Sequence, residues 1–278
     1  MRPSLLRRLA RSVRASLNAK RDEAARYAAY AGMGRDQFVN IGSGDFDHPR
    51  WTNLDHSSAW YAHAHKNAFV EHDLMALGPL PFGNESLILA YTSHTIEHVT
   101  DAAVAVLFRE VHRVLKRGGL FRISCPDADL LYWATRFGRR DYWQWRHGWF
   151  ASNGANPDTL PIEEFLIREL ATERSRFTPD VPGCSKVDAQ EARTQLAGSE
   201  KKAFLDWLTR PCRFRPDYPG NHINWWSREK CEAFLSEAGF STILNSTRGG
   251  SMAAPLQDLD NFDSTAPEMS VYIEAIKS

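Results

Sequence analysis

Phe38-Val39-Asn40-Ile41-Gly42-Ser43-Gly44-Asp45 and, a short way on, Asn53-Leu54-Asp55 are the residues on which the reading of this chain turns. Phe38 to Ile41 suit a short apolar strand. Gly42 and Gly44 then remove side chains where a backbone must bend sharply and approach a ligand closely. Asp55 falls at the tip of a second strand, where nucleotide-binding sheets carry the acid that grips a ribose diol. A GxG turn alone is equally compatible with a plain strand-to-loop connection and an ordinary exposed aspartate. The flanking sequence has to decide.

Working outward, the pattern repeats. Strands are expected at Trp51–Leu54 and Ala68–Glu71, the latter running into His72-Asp73-Leu74. A turn-rich loop, Pro79–Glu85, leads to the apolar run Leu87–Tyr91, short enough for a buried parallel strand, which ends in Thr92-Ser93-His94-Thr95-Ile96-Glu97-His98. Thr100 or Asp101 can cap the next helix, whose inner face reads Val104, Leu107, Phe108, Val111, Val114 and Leu115. Lys116 and Arg117 suit its negative end, and Gly118-Gly119 stops it. Leu120–Cys125 is the following strand, closed by Pro126. Alternation of strands and helices with short connections implies an α/β chain with a mostly parallel sheet and helices on both faces.

From about Tyr132 to Asn221 the pattern changes to Trp- and Arg-rich sequence punctuated by Pro and Gly, with no clear strand. This reads as a mainly helical insertion or lid on the substrate side. The alternation resumes with a helix at Ser227–Ala238, a Gly239 stop, and strands at Phe240–Asn245 and Val271–Ile276. The expected organisation is an N-terminal segment 1–34, a core in two parts at 35–131 and 222–278, and an insertion at 132–221.

The 278 residues suffice for a full core, and 34 basic against 34 acidic residues leave no global field that would favour nucleic acid. No apolar run approaches the roughly 18 residues of a membrane span. Cys125, Cys184, Cys212 and Cys231 are scattered, without a CxxC pair, which fits free thiols in a reducing, cytoplasmic compartment. The N-terminus departs from the even charge: Arg2, Arg7, Arg8, Arg11, Arg14, Lys20 and Arg21 precede the first acid, Asp22, and Leu5, Leu6, Leu9, Val13 and Leu17 share a helical face. Residues 1–20 can lie on an anionic membrane surface, act as a targeting segment, or pack on the domain with a solvated basic face.

Taken together, "FVNIGSGDFDHPRWTNLD", "VEHDL…LPFGNESLILAYTSHTIEHV", "FREVHRVLKRGGLFRISCPDADL" and "WSREKCEAFLSEAGF" resemble the class I S-adenosylmethionine-dependent methyltransferases, in particular small bacterial ones associated with polysaccharide and glycan biosynthesis. The resemblance covers roughly residues 36–135 and 222–278. It implies a Rossmann-like sheet, S-adenosylmethionine as methyl donor, and a saccharide or other small hydroxylated acceptor. It matches Asn40, Gly42, Ser43 and Gly44 to the turn beneath the methionine moiety, and Asp55 to the acid at the ribose. Asp73 and Leu74 match the residues at the adenine, and Ser93 and His94 the strand end facing the reacting methyl. The interval from Gly44 to Asp55 is tight for a βαβ crossover, so a turn or single helical coil is expected there. No third glycine follows, which weakens a nicotinamide-dependent sugar-nucleotide enzyme as the alternative. A non-catalytic partner of a glycan assembly enzyme is the third reading.

Methyl transfer from a sulfonium is an in-line displacement, and a hydroxyl nucleophile is helped by a nearby base. His94 and His98, bracketing Glu97 beyond a strand tip, are the candidates, with Glu97 free to fix a tautomer. His98 and Glu97 also suit a purely bracing role at the next helix. No metal is expected, because His48, His56, His63, His65 and His72 lack partners at ligand spacing. In the insertion, Trp133, Tyr142, Trp143, Trp145, Trp149 and Phe150 interleave with Arg136, Arg139, Arg140 and Arg146. They fit either sugar stacking and phosphate binding or a small core of the insertion's own. Trp225-Trp226 is expected to pack the insertion's return onto the sheet.

Overall fold

The computed structural model describes residues 21–59 and 68–278. The basic segment 1–20 and the His63–His65 pair lie outside the described residues. Among the described residues, seven strands form one sheet: β1 Phe38–Ile41, β2 Thr52–Asp55, β3 Val70–Glu71, β4 Leu87–Ser93, β5 Leu115–Pro126, β6 Thr242–Ser246 and β7 Ser270–Ile276, in the order β3-β2-β1-β4-β5-β7-β6. The strands from β3 to β5 run parallel, and β7 lies antiparallel between β5 and β6. The chain winds outward from β1 in one direction and restarts at β4 in the other. The order therefore reverses between β1 and β4, where a crevice opens beyond the strand ends.

Both faces of the sheet are covered, by different means. On one, α1 (Asp101–Val114) and α7 (Arg228–Glu237) pack on it. Val104, Leu107, Phe108 and Leu235 meet Val39, Ile41, Ala90 and Ile123. Thr100 is the N-cap of α1, its hydroxyl accepting the Ala103 N–H at 3.3 Å. On the other face, Phe38, Leu89, Tyr91 and Leu120 are covered by Tyr27, Trp51, Ala253, Leu256 and Phe262. These come from the N-terminal side, where α-helical residues 21–26 run into the 3₁₀ turn Ala28–Tyr30, from the β1–β2 connection, and from the β6–β7 connection with its 3₁₀ turn Ala254–Gln257.

A buried ion cluster pins that connection. Arg122, on β5, is fully buried, with Nη2 2.5 Å from Asp263 Oδ2 and Nη1 2.9 Å from Glu274 Oε1. Its Nη2 also donates to the Thr247 carbonyl (2.8 Å), and the Asp263 N–H donates to the Tyr91 hydroxyl (2.8 Å).

Element boundaries differ from the sequence reading where distant partners intervene. The helix expected to run on to Gly118-Gly119 stops at Val114, and Lys116 to Gly119 belong to β5. There the Gly118 N–H donates to the Lys277 carbonyl (2.7 Å) and the Lys277 N–H to that of Gly119 (3.0 Å), so the last strand claims these glycines. The fourth strand extends past Tyr91 to Ser93, and Asp55 is the last residue of β2. As the tight spacing implied, no helix separates β1 from β2.

The insertion is helical: α2 Ala128–Arg136, α3 His147–Ser152, α4 Ile162–Leu170, α5 Ala189–Gly198 and α6 Lys201–Thr209. Its cluster is centred on Trp143, Phe150, Phe165 and Phe204, includes Ala128 and Leu131, and takes Trp225 from the returning chain and Met269 from the end of the β6–β7 connection. Trp226 turns instead into the sheet core, fully buried, with Nε1–H donating to the Ile96 carbonyl (3.0 Å). Among the described residues, no helix is long and apolar enough to cross a membrane.

Arg122→Leu would leave Asp263 and Glu274 buried without a counter-charge. We expect a loss of about 3–5 kcal/mol, read from urea unfolding. An unchanged midpoint would show that the cluster does not hold the β6–β7 connection in place.

Candidate active site

The crevice between β1 and β4 contains a cavity of about 260 Å³. Gly42, Ser43 and Gly44 form one wall, Asp55 and the Asp73–Met75 turn a second, and Ser93 to Thr95 with His98 a third. Leu54, Leu74, Met75 and Val99 give it an apolar side.

Gly42 has φ +67, and a Cβ there would come within 2.9 Å of Thr95 Cβ and closer still to its Oγ1 and Cγ2. The glycine is thus demanded by the neighbouring strand's tip as well as by the turn. Gly44 has φ +54, but its missing Cβ faces open space. The Gly44 N–H donates to Asp55 Oδ2 (2.7 Å) and the His56 N–H to Oδ1 (2.8 Å). The acid therefore also braces the glycine turn. Asp73 caps the 3₁₀ turn Leu74–Ala76, its Oδ1 accepting the Met75 N–H at 2.8 Å.

Asn40 is placed differently. It faces a second cavity of about 280 Å³, together with Asp45, Asp47, Asp260, Asn261 and Ser264. The two cavities share Gly42, Ser43, Asp45, Ser93 and Thr265 in their walls. Every other cofactor-binding or catalytic residue nominated from the sequence lines the first cavity. The Asn40 Oδ1 atom is buried without a hydrogen-bond partner.

His94 follows the last residue of β4 with φ +51, a conformation that costs a side chain on the order of 1–3 kcal/mol and is held here by its N–H bond to the Ser124 carbonyl (2.9 Å). Its Nε2 lies 2.7 Å from Ser270 Oγ and its Nδ1 3.1 Å from Glu97 Oε1. Glu97 is 1% exposed. Burial alone would raise its pKa, but the surrounding histidines, His94 foremost, outweigh that and hold it at about 2. His98 Nδ1 is 3.1 Å from the Asn221 carbonyl. His222, whose pKa burial and the His98 charge depress to about 3, completes the group.

His222 is the residue sequence reading missed. It sits 4.0 Å from Glu97 through Nε2, brought by the insertion's return, and nothing local in the sequence marks it. Thr95, Thr265, Phe214 and Pro219 are further cavity residues without a sequence signal. The insertion's aromatic and arginine set divides: Trp143 and Phe150 are fully buried, Tyr142, Trp145 and Trp149 pack against them, and Arg146 holds Glu169 through Nε (2.6 Å) and Nη2 (3.0 Å), whereas Trp133, Arg136, Arg139 and Arg140 are exposed. Of the insertion, Phe214 and Pro219 reach the cavity.

Residues 31–123 match the family model described as a methyltransferase domain. Among curated proteins, none matches the chain. Similar solved structures include an S-adenosylmethionine-dependent methyltransferase from Mesorhizobium loti, 19% identical, covering 91% of this chain and 95% of that one at a TM-score of 0.42. A possible histamine N-methyltransferase from Thermotoga maritima is 16% identical, with 99% and 96% coverage and a TM-score of 0.39. A further S-adenosylmethionine-dependent methyltransferase, from Archaeoglobus fulgidus, is 11% identical with 94% coverage of each chain and a TM-score of 0.40.

The two glycines should respond differently to a methyl group. Gly44→Ala costs the left-handed backbone strain, about 1–2 kcal/mol; Gly42→Ala adds overpacking against Thr95, about 1–3 kcal/mol more. Equal losses in urea unfolding would contradict the close approach of Gly42 to Thr95.

Proposed function

With the methyltransferase domain as premise, we propose that this chain transfers a methyl group from S-adenosylmethionine to a hydroxyl of a saccharide, nucleotide-sugar or related small acceptor. The observation that carries the reading is the pair of cavities meeting at Gly42, Ser43 and Ser93. In the first, Asp55 accepts hydrogen bonds from the ribose, Asp73 and Leu74 meet the adenine, and the glycine turn lies under the methionine moiety. The second is lined by carboxylates, amides and hydroxyls, groups suited to reading a hydroxyl-rich acceptor. Its polar lining is the support for a saccharide, since Tyr142, Trp143, Trp145, Trp149 and Phe150 pack into the insertion's own core.

Transfer then needs the acceptor oxygen about 3–3.5 Å from the methyl carbon and in line with the sulfur. His94 is the general base: Glu97 Oε1, 3.1 Å from Nδ1, electrostatically favours the hydrogen on that nitrogen and so leaves the Nε2 lone pair for a hydroxyl, on the side where Ser270 Oγ lies at 2.7 Å. His98 has the bracing role. A dinucleotide is disfavoured because no helix follows the glycine turn, so no helix N-terminus faces a pyrophosphate.

Two variants test this reading. Asp55→Ala should weaken S-adenosylhomocysteine binding by about 1.5–3 kcal/mol in titration calorimetry. His94→Ala, assayed after a screen of nucleotide-sugars and glycan fragments, should keep that affinity and lose about 10²–10⁴-fold in turnover. Unchanged affinity in the first would remove Asp55 from the ribose site, and wild-type turnover in the second would remove the base.

A further inference from the structure

Glu97, His98 and His222 present three acceptor atoms to one another with no donor between them. The Nδ1 of His98 faces the Asn221 carbonyl at 3.1 Å, and the Nδ1 of His222 faces the Glu169 carbonyl at 2.5 Å. A carbonyl oxygen only accepts, so in each neutral ring the hydrogen sits on Nδ1 and the Nε2 carries a lone pair. Those Nε2 atoms lie 3.9 Å and 4.0 Å from Glu97 Oε1. His94 Nδ1 stands 3.1 Å from Glu97 Oε1 without the alignment of a hydrogen bond, so neither Glu97 oxygen has a well-aligned donor, although the residue is 1% exposed. A buried carboxylate left this way is costly unless a cation completes it.

We propose that Glu97, His98 and His222 are the ligands of one divalent transition-metal ion, with zinc the best fit. Two imidazoles and a carboxylate form a borderline N/O donor set suited to zinc. The three donor atoms lie within 4.8 Å of one another. Bond lengths of about 2.0–2.2 Å place tetrahedral zinc ligands roughly 3.4 Å apart, so closure around the ion takes small side-chain movements. The backbone carbonyls behind both rings are the outer partners that metal-bound histidines use to fix tautomer and orientation.

The site joins two parts of the chain. Glu97 and His98 belong to the 3₁₀ turn after β4, and His222 to the returning end of the insertion, where the Ile223 and Asn224 N–H groups already donate to the Glu97 carbonyl. A bound ion would lock the insertion to the cavity wall that His98 forms. The other three-residue group among the described residues, Glu173, Cys184 and Cys212, is unlike it. There the carboxylate already accepts from Arg215 Nε (2.5 Å) and the Arg213 N–H (3.2 Å).

The test uses the full chain purified without a polyhistidine tag, stripped with a chelator, and titrated with zinc by calorimetry and with cobalt(II) by visible absorption. One ion per chain is expected, with cobalt bands of low coordination number, no thiolate charge transfer, and a raised melting temperature. His98→Asn and His222→Asn should each weaken binding about 10–100-fold or more, and a Cys184→Ser/Cys212→Ser variant should bind as the parent does. Circular dichroism checks the folding of each variant, and the cobalt spectrum of the parent chain needs none of them. No stoichiometric binding, binding that survives both histidine substitutions, or binding lost in the cysteine variant would each overturn the proposal.

Discussion

The tips of β1 and β4 approach so closely that no side chain fits at position 42, and the geometry of the crevice follows from that contact. The Ile41 carbonyl takes hydrogen bonds from the hydroxyls of Thr92 (3.0 Å) and Thr95 (3.4 Å), which stitch the two strand ends together. Gly42 then turns away with its N–H on the Leu54 carbonyl (2.8 Å), drawing β2 into the same edge. Three strand tips are fixed against one another before any ligand arrives. Such preorganisation limits the ordering that binding would otherwise require.

Beyond that edge, the turn Ile96–His98 works as a seam. Its backbone carbonyls hold the Trp226 indole and the Ile223 and Asn224 amides, and its side chains meet His94 on one side and His222 on the other. A buried carboxylate is a poor way to stabilise a fold, because an apolar packing of equal volume often does as well. Its presence here, next to a strained histidine and a cavity, is better understood as the cost of positioning groups for chemistry. The same turn couples the insertion to the cavity, so movement of residues 214–224 would be felt at His94 and His98.

Much of this arrangement was legible in the residues. The strand at Phe38–Ile41, the glycine turn, the acid at Asp55 and the helix over Asp101–Val114 all carry local signals: apolar runs, φ-permissive residues, a Thr cap and helical periodicity. What escaped depends on partners far along the chain. Gly118 and Gly119 look like a helix stop until Lys277 pairs with them. Arg122 reads as an ordinary strand residue until Asp263 and Glu274 meet it in the interior. His222 has no motif around it, and reaches Glu97 only because the chain, after α1, β5 and the helices α2 to α6, returns to it. Asn40 lines the second cavity and not the first, a placement that no local signal in its strand distinguishes.

The central claim is that the crevice between β1 and β4 is a cofactor site built around Asp55. A crystal structure with S-adenosylhomocysteine bound tests it most directly. The account predicts ribose hydroxyls within hydrogen-bond distance of the Asp55 carboxylate, the adenine beside Asp73 and Leu74, and the sulfur near Ser93 where the two cavities join. Density for the nucleoside elsewhere on the molecule, or an empty crevice at saturating ligand, would contradict it.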